Sequence, residues 1–324
     1  MNTKTDIVLE SIGVTKHYAK NKAAIKSVDG VDLTLRRGNV LGILGETGCG
    51  KSTLGRVLSG LEPPTSGHVL LEGQPLSELY RHDRKAVRRR IQMVFQNPFD
   101  AFDPRHKIER VLAGALKLHG IGENRAARVR LASDALESAG LRPAENYLRR
   151  YPNELSGGQL QRIAILRSML LYPSMIVADE PVSMLDVSVR ADIINMLGRL
   201  AHEGDAAVLF ISHDISTARY ICDSIAVMYL GRIVEIGPSR AILDDPKHPY
   251  TRALISNCPS SDPRAAFTPI RLRGEPPSPM NQIGGCAFFP RCPESVPACA
   301  ATPQKLAPVG GRREARCMRV AQIR

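Results

Sequence analysis

The chain has 324 residues, enough for about two domains at roughly 150 residues each, and its 43% apolar content excludes a disordered or fibrous protein. Lys and Arg number 44 against 32 Asp and Glu, a net charge of +12. That balance excludes an acidic solvating protein and directs attention to anionic partners, whether nucleotide, nucleic acid or anionic lipid. Taken in chain order, apolar segments bounded by turn residues predict strands at 7–14, 28–35 and 40–44. A glycine-rich stretch, 45–53, joins the third strand to a predicted helix at 54–58. Apolar residues at helical spacing, Val111, Ala115 and Leu118, then Val129, Ala132 and Leu136, predict helix across 111–140, stopped by Gly140 and Pro143. A helix from Ser156 to Leu171, a strand at 175–178, a helix at 188–200 and a strand at 207–211 follow. This alternation predicts a mostly parallel sheet with crossover helices.

Beyond residue 246 the composition changes. Thirteen of the 23 prolines lie between Pro246 and Pro308, and residues 261–324 hold ten Lys and Arg against four Asp and Glu, so the tail reads as a separate, irregular and basic unit. No apolar run approaches the roughly 20 residues of a membrane helix, and the N-terminal residues lack an apolar signal core of about seven or more. A cytoplasmic chain with reduced thiols or metal-bound cysteines is therefore expected.

Gly45-Glu46-Thr47-Gly48-Cys49-Gly50-Lys51-Ser52-Thr53 matches the phosphate-binding loop pattern in the strand-to-helix setting its mechanism requires. Its glycines let backbone N–H groups curl around phosphates, Lys51 reaches the β- and γ-phosphates, and Ser52 is a magnesium ligand. The strand at 175–178 ends in Asp179 and Glu180, where Asp179 suits the magnesium shell and Glu180 is placed to polarise an attacking water. Between these sites, Ser156 and Gln159 in Leu155-Ser156-Gly157-Gly158-Gln159 have capping-box spacing at a helix start flanked by glycines. By themselves these last residues are a capped helix and nothing more.

Together, the three motifs resemble the ATPases of the ABC type, over roughly residues 7–258. The resemblance implies an α/β fold: a P-loop ATPase core with a mixed sheet over 1–96 and 164–258, a helical signature subdomain over 97–163, and an irregular cysteine-containing extension over 259–324. It further implies that Tyr18 stacks on adenine and that Gln96 links nucleotide to a membrane partner and shares magnesium with Ser52 and Asp179. Asp186 would belong to a dimer-contact loop, and His213 would sense the γ-phosphate. Ser156, Gly157, Gly158 and Gln159 would act in trans, on ATP held by a second ATPase subunit in a head-to-tail dimer. Val182, Met184 and Leu166 depart from the family's usual Thr, Ala and Ala, and Met184 bears on packing at the dimer seam.

Four further segments, 94–105, 248–254, 274–279 and 285–293, are similar to the ATPase subunits of bacterial oligopeptide, dipeptide and nickel importers. That likeness implies ATP and Mg2+ as cofactors, two integral membrane permease subunits, a homodimer or a paralogous ATPase as partner, a solute-binding protein acting indirectly, and a peripheral position on the cytoplasmic face of the plasma membrane. A non-transport ATPase acting on nucleic acid or ribosomes is the alternative. It is opposed by the single P-loop, the lack of a long coiled coil and the scarcity of aromatics (5%, no Trp). A GTPase or kinase would leave the 155–159 motif idle.

Cys286, Cys292, Cys299 and Cys317 are separated by five, six and seventeen residues, which matches neither the C-x2-C pairs of zinc ribbons nor the tight run of bacterial ferredoxins. A proline-rich tail with few large apolar residues lacks a core of its own, and a four-thiolate metal site would cross-link it. The resemblance implies a 4Fe-4S cluster in some relatives. Zinc is the chemical rival and free thiols the third alternative. Cys49, Cys222 and Cys258 read as inert, although Cys49 lies in the phosphate loop.

Overall fold

The computed structural model describes residues 6–20, 23–258, 268–277 and 284–320. It comprises two compact units, the first from residues 1–9, 34–40 and 70–210, the second from residues 10–33, 41–69 and 211–324.

The chain starts with two long strands, β1 (Ile7–Lys20) and β2 (Ala23–Arg36). In β2, Val31, Leu33 and Leu35 are buried while Asp32, Thr34 and Arg36 are exposed, the period of two of a sheet with one solvated face. β3 (Val40–Leu44) is buried throughout and leads through the glycine-rich loop into α1 (Lys51–Leu58). The helix begins three residues before the apolar run that predicts it, because Gly50 is its N-cap. β4 (Ser66–Leu71), β5 (Gln74–Pro75), α2 (Leu76–His82), α3 (Arg84–Arg90) and β6 (Ile91–Val94) follow.

The helical stretch expected over 111–140 is two helices, α4 (Ile108–Leu118) and α5 (Arg125–Ser138), parted where Gly120 and Gly122 take φ of 69° and 77°. α4 buries Ile108, Leu112 and Leu116, one stripe at four-residue spacing. α6 (Ala144–Leu148) and α7 (Gly157–Met169) precede β7 (Met175–Asp179), α8 (Val187–His202) and β8 (Ala207–Ser212). Next come α9 (Ile215–Ile221), β9 (Ser224–Tyr229), β10 (Arg232–Pro238), α10 (Ser239–Asp244) and α11 (Pro249–Ser256). The tail adds α12 (Pro297–Ala301), β11 (Ala307–Pro308) and β12 (Glu314–Ala315). Ser278 and Pro279 of the 274–279 segment lie outside the described residues.

In the first unit β8, β7 and β6 lie in that order, with β6 parallel to β7 (Ile91 opposite Met175, Val94 opposite Ala178). The end of β4 there pairs antiparallel with β5. In the second unit the order is β11-β12-β10-β9-β3. β3 and β9 are parallel, whereas β9, β10 and β12 are successively antiparallel, so the sheet is mixed. The buried β3, β7 and β8 read as unbroken apolar runs, as strands covered on both faces do.

Candidate functional site

In the second unit, the phosphate loop is shaped by glycines that nothing else can replace. A Cβ on Gly45 would lie 2.3 Å from the Met228 carbonyl oxygen, and one on Gly50 would lie 2.0 Å from that of Ser27, with φ of 157° and 108°. Gly48 has open space around it and needs only its φ of 78°. Lys51 is buried, and its Nζ donates to the carbonyls of Gly45 (2.8 Å) and Glu46 (2.9 Å), folding the loop over its own lysine. No side chain caps α1 at Gly50, which leaves the helix start to an anion. Ser52 and Thr53 lie in its first turn.

Glu46 is held from two directions by residues far away in the chain. Its amide donates to the Tyr250 hydroxyl (3.0 Å), and its carboxylate takes two bonds from the Arg291 guanidinium (2.9 and 3.2 Å). Cys49 is buried beneath the loop, and burial pushes its thiol up, away from the reactive thiolate. Tyr18 donates from its hydroxyl to Glu62 at 2.6 Å and carries Lys16 Nζ 5.3 Å from its ring centre. Burial, then the bond to Glu62, raises its phenol. His213 is exposed just beyond β8, and Asp214 after it caps α9.

The first unit brings together another part of the predicted set. β7 ends in Asp179, buried, and Glu180, whose φ of 46° is a left-handed conformation uncommon outside glycine and asparagine. Gln96 Nε2 donates to Glu180 Oε2 (3.1 Å) and to Ser183 Oγ (3.4 Å), while Ser183 Oγ donates to the Glu180 carbonyl (3.0 Å). The capping box forms as its spacing predicts: Ser156 Oγ accepts from Gln159 N, and Gln159 Oε1 accepts from Ser156 N at 3.1 Å. Gly158 packs closely on Val189, since a Cβ there would lie 2.7 Å from Val189 Cγ1 and would force that side chain to move. Asp186 is exposed at the start of α8. Of the three departures, Val182 and Leu166 are buried, and Met184 is 65% exposed. A basic groove in this unit is lined by Arg105, Lys107, Arg110, Lys117 and Arg128, with Tyr151 beside them.

Two sets of residues escape sequence reasoning. Gln161, only 1% exposed, donates from Nε2 to the carbonyls of Phe95 (3.3 Å) and Pro181 (3.0 Å), the neighbours of Gln96 and Glu180. Its signal is a glutamine on a helix face that is otherwise apolar. Arg291 and Tyr250 carry no local signal.

For the four tail cysteines the sequence leaves a 4Fe-4S cluster, zinc or free thiols open, and neither metal is supported. Among the described residues no group of three or more His, Cys, Asp or Glu is arranged to hold a metal ion. Burial raises the thiol of Cys286 and pushes that of Cys292 up to about 11. Cys299 Sγ donates to Met318 Sδ at 3.7 Å, and Cys317 immediately precedes that methionine. The cross-link that the tail lacks internally is supplied by packing. Phe288 is 1% exposed among Tyr229, Tyr250 and His248, at ring distances of 5.3, 5.4 and 5.8 Å, and β12 adds to the edge of β10.

Comparison with known proteins agrees with this geometry. Residues 28–183 match the family described as ABC transporter, and residues 234–299 match the oligopeptide/dipeptide transporter C-terminal region. The oligopeptide transport ATP-binding protein AppF of Bacillus subtilis is 44% identical over 87% of this chain and 86% of its own. A Sinorhizobium fredii protein named "Probable peptide ABC transporter ATP-binding protein" is 43% identical over 97% of this chain and 90% of its own. Among solved structures, a dimeric ATP-binding cassette in a post-hydrolysis state with ADP and Pi has a TM-score of 0.65 at 29% identity, covering 72% of this chain and 99% of that one. The chain therefore belongs to the ATP-binding subunits of ABC transporters, and it carries their oligopeptide/dipeptide-type C-terminal region.

Proposed function

We propose that this protein is the ATP-hydrolysing subunit that powers uptake of oligopeptides or dipeptides through a membrane permease. The observation that carries this reading is the union, in one chain, of an ABC ATPase match with an oligopeptide/dipeptide C-terminal-region match. A nickel or other small-solute importer is the second reading, favoured only by the shared tail type.

Residue by residue, the backbone of Gly45 to Thr53 and Lys51 hold the triphosphate, and Tyr18 stacks on adenine. Magnesium, which neutralises charge developing on the phosphates, takes hard oxygen donors, and Ser52, Asp179 and Gln96 offer a hydroxyl, a carboxylate and an amide oxygen. Glu180 orients water for attack on the γ-phosphate, and its bond to Gln96 supports that role by fixing the carboxylate. His213 responds to the γ-phosphate. Ser156, Gly157, Gly158 and Gln159 complete the site of a second ATPase subunit, with Asp186 at the seam. ATP thereby favours the closed dimer, and hydrolysis releases it.

In this reading residues 1–96 and 164–258 form the ATPase core, 97–163 the signature subdomain and 259–324 the extension. The partners are two permease subunits and a second ATPase, homologous or identical, at the cytoplasmic face of the membrane. Among the described residues no helix is long and apolar enough to cross a membrane. The basic groove lined by Arg105 and Arg110 suits a permease segment with acidic residues. No nucleic acid is involved.

The test is a tagged Glu180→Gln variant, given ATP and recovered from gently solubilised membranes. Its turnover should fall by roughly 100-fold or more while ATP binding persists, and two integral permease subunits should co-purify. Normal turnover, or recovery only with ribosomes or DNA, defeats the reading.

A further inference from the structure

Glu46 is an anomaly in a loop built to attract phosphate. The loop works by presenting amides, a helix start and a lysine, and a carboxylate at its second position opposes that field. Glu46 is fixed at three points. Tyr250 accepts from its amide, Lys51 donates to its carbonyl, and Arg291 makes a two-pronged ion pair with its carboxylate. The Arg291 side chain is 8% exposed, whereas that of Glu46 is 30% exposed. Arg291 also lies with its guanidinium carbon 5.9 Å from the centre of the Tyr229 ring, and its segment is anchored by the buried Phe288. All of these residues belong to the second unit. Arg291 falls within the C-terminal-region match, far from the ABC match that contains Glu46.

We propose that Arg291 is a positioning residue for nucleotide binding: from the C-terminal extension it neutralises the Glu46 carboxylate, whose charge opposes phosphate binding in the loop. It does not touch the nucleotide. The extension thus tunes ATP affinity through one ion pair, which cancels an unfavourable charge beside the phosphates. The inference rests on the phosphate loop being the ATP site.

The experiment measures MgATP binding to the full-length protein by calorimetry, in a Glu180→Gln background that blocks turnover. Arg291→Met, of similar volume, leaves Glu46 charged and unpaired, and it should weaken MgATP binding by about tenfold. Adding Glu46→Gln to Arg291→Met removes the offending charge and should restore the affinity to within about threefold of the reference. A purely structural brace would not be relieved by that second change. Wild-type affinity in Arg291→Met, or a loss that persists in the double variant, overturns the proposal. Should Arg291→Met fail to fold, as judged by circular dichroism, Glu46→Gln alone decides. It leaves the Arg291 charge uncompensated near the phosphates and must tighten MgATP binding, and equal or weaker binding overturns the proposal. If the reference protein itself binds no MgATP, the nucleotide reading fails instead, independently of Arg291.

Discussion

His248 shows what one buried side chain commits the molecule to. It is 1% exposed, its Nδ1 accepts from the Tyr250 amide at 3.1 Å to cap α11, and its own amide donates to Glu235 at 2.9 Å. Burial, reinforced by Arg252, depresses its pKa to about 3. An imidazole that must stay neutral to accept a bond contributes stability in full above its unfolded pKa of about 6.5, and that stability is lost as pH falls toward the folded value. Between pH 7 and 5 the loss amounts to about 2 kcal/mol. Glu235, raised by its own burial, acts in the opposite direction, losing stability as pH rises. The measurement is therefore a difference. Unfolding midpoints in denaturant at pH 7 and pH 5 should fall further apart for the wild type than for His248→Asn, which keeps a capping oxygen but does not titrate. Equal spacing of the midpoints in both proteins would contradict this account. The same burial logic makes Cys49 slow toward alkylating reagents at neutral pH, with Cys49→Ser as the control.

At the level of the element, α7 does two jobs with two glutamines. Gln159 closes the capping box, a contact three residues long that its sequence spacing already announces. Gln161, two residues on, turns inward and ties down the carbonyls beside Gln96 and Glu180. Gln161→Leu keeps the volume but leaves two buried acceptors unmet, at a cost of about 1–3 kcal/mol. The Gln96–Glu180 pair should loosen with them, lowering kcat by roughly tenfold with little change in the KM for ATP. A rise in KM at constant kcat would place Gln161 elsewhere in the cycle. The contrast between these two glutamines explains what could be read from the chain. The phosphate loop, the capping box, the runs of β3, β7 and β8 and the acids at the end of β7 are written in consecutive residues, because turns, caps and buried strands are local physics. Arg291 on Glu46, Tyr250 under the loop and Gln161 between two carbonyls join positions 66 to 245 residues apart or lie in an apolar face, except for Gln161 to Pro181, which spans 20. No local pattern encodes such pairings. The strands β4 and β10 carry no clear pattern for a related reason, their apolar residues being mixed with Gly, His, Arg and Glu, whereas β6 and β9 are short apolar runs that periodicity alone does not assign.

Across the whole molecule, the C-terminal extension is fastened by side-chain and strand contacts within the second unit. Phe288 sits in an aromatic nest, Arg291 pairs with Glu46, and Arg316 donates from its backbone to Val234 and from Nε to Ile233. Net charge and proline content predict a separate, irregular tail, but nothing in its composition reveals that it packs within the second unit. β12 has a further consequence, for solubility. Its two residues pair with Glu235 and Ile236 on the open side of β10, whose backbone groups would otherwise be unpaired. Such a bare edge invites pairing with another copy. A chain ending at Leu306 keeps Phe288 and Arg291 but uncovers that edge. It should scatter light several-fold faster than the full chain on mild heating, and its aggregates should bind β-sheet dyes. The last eighteen residues would then serve less as part of a motor than as a guard against self-association.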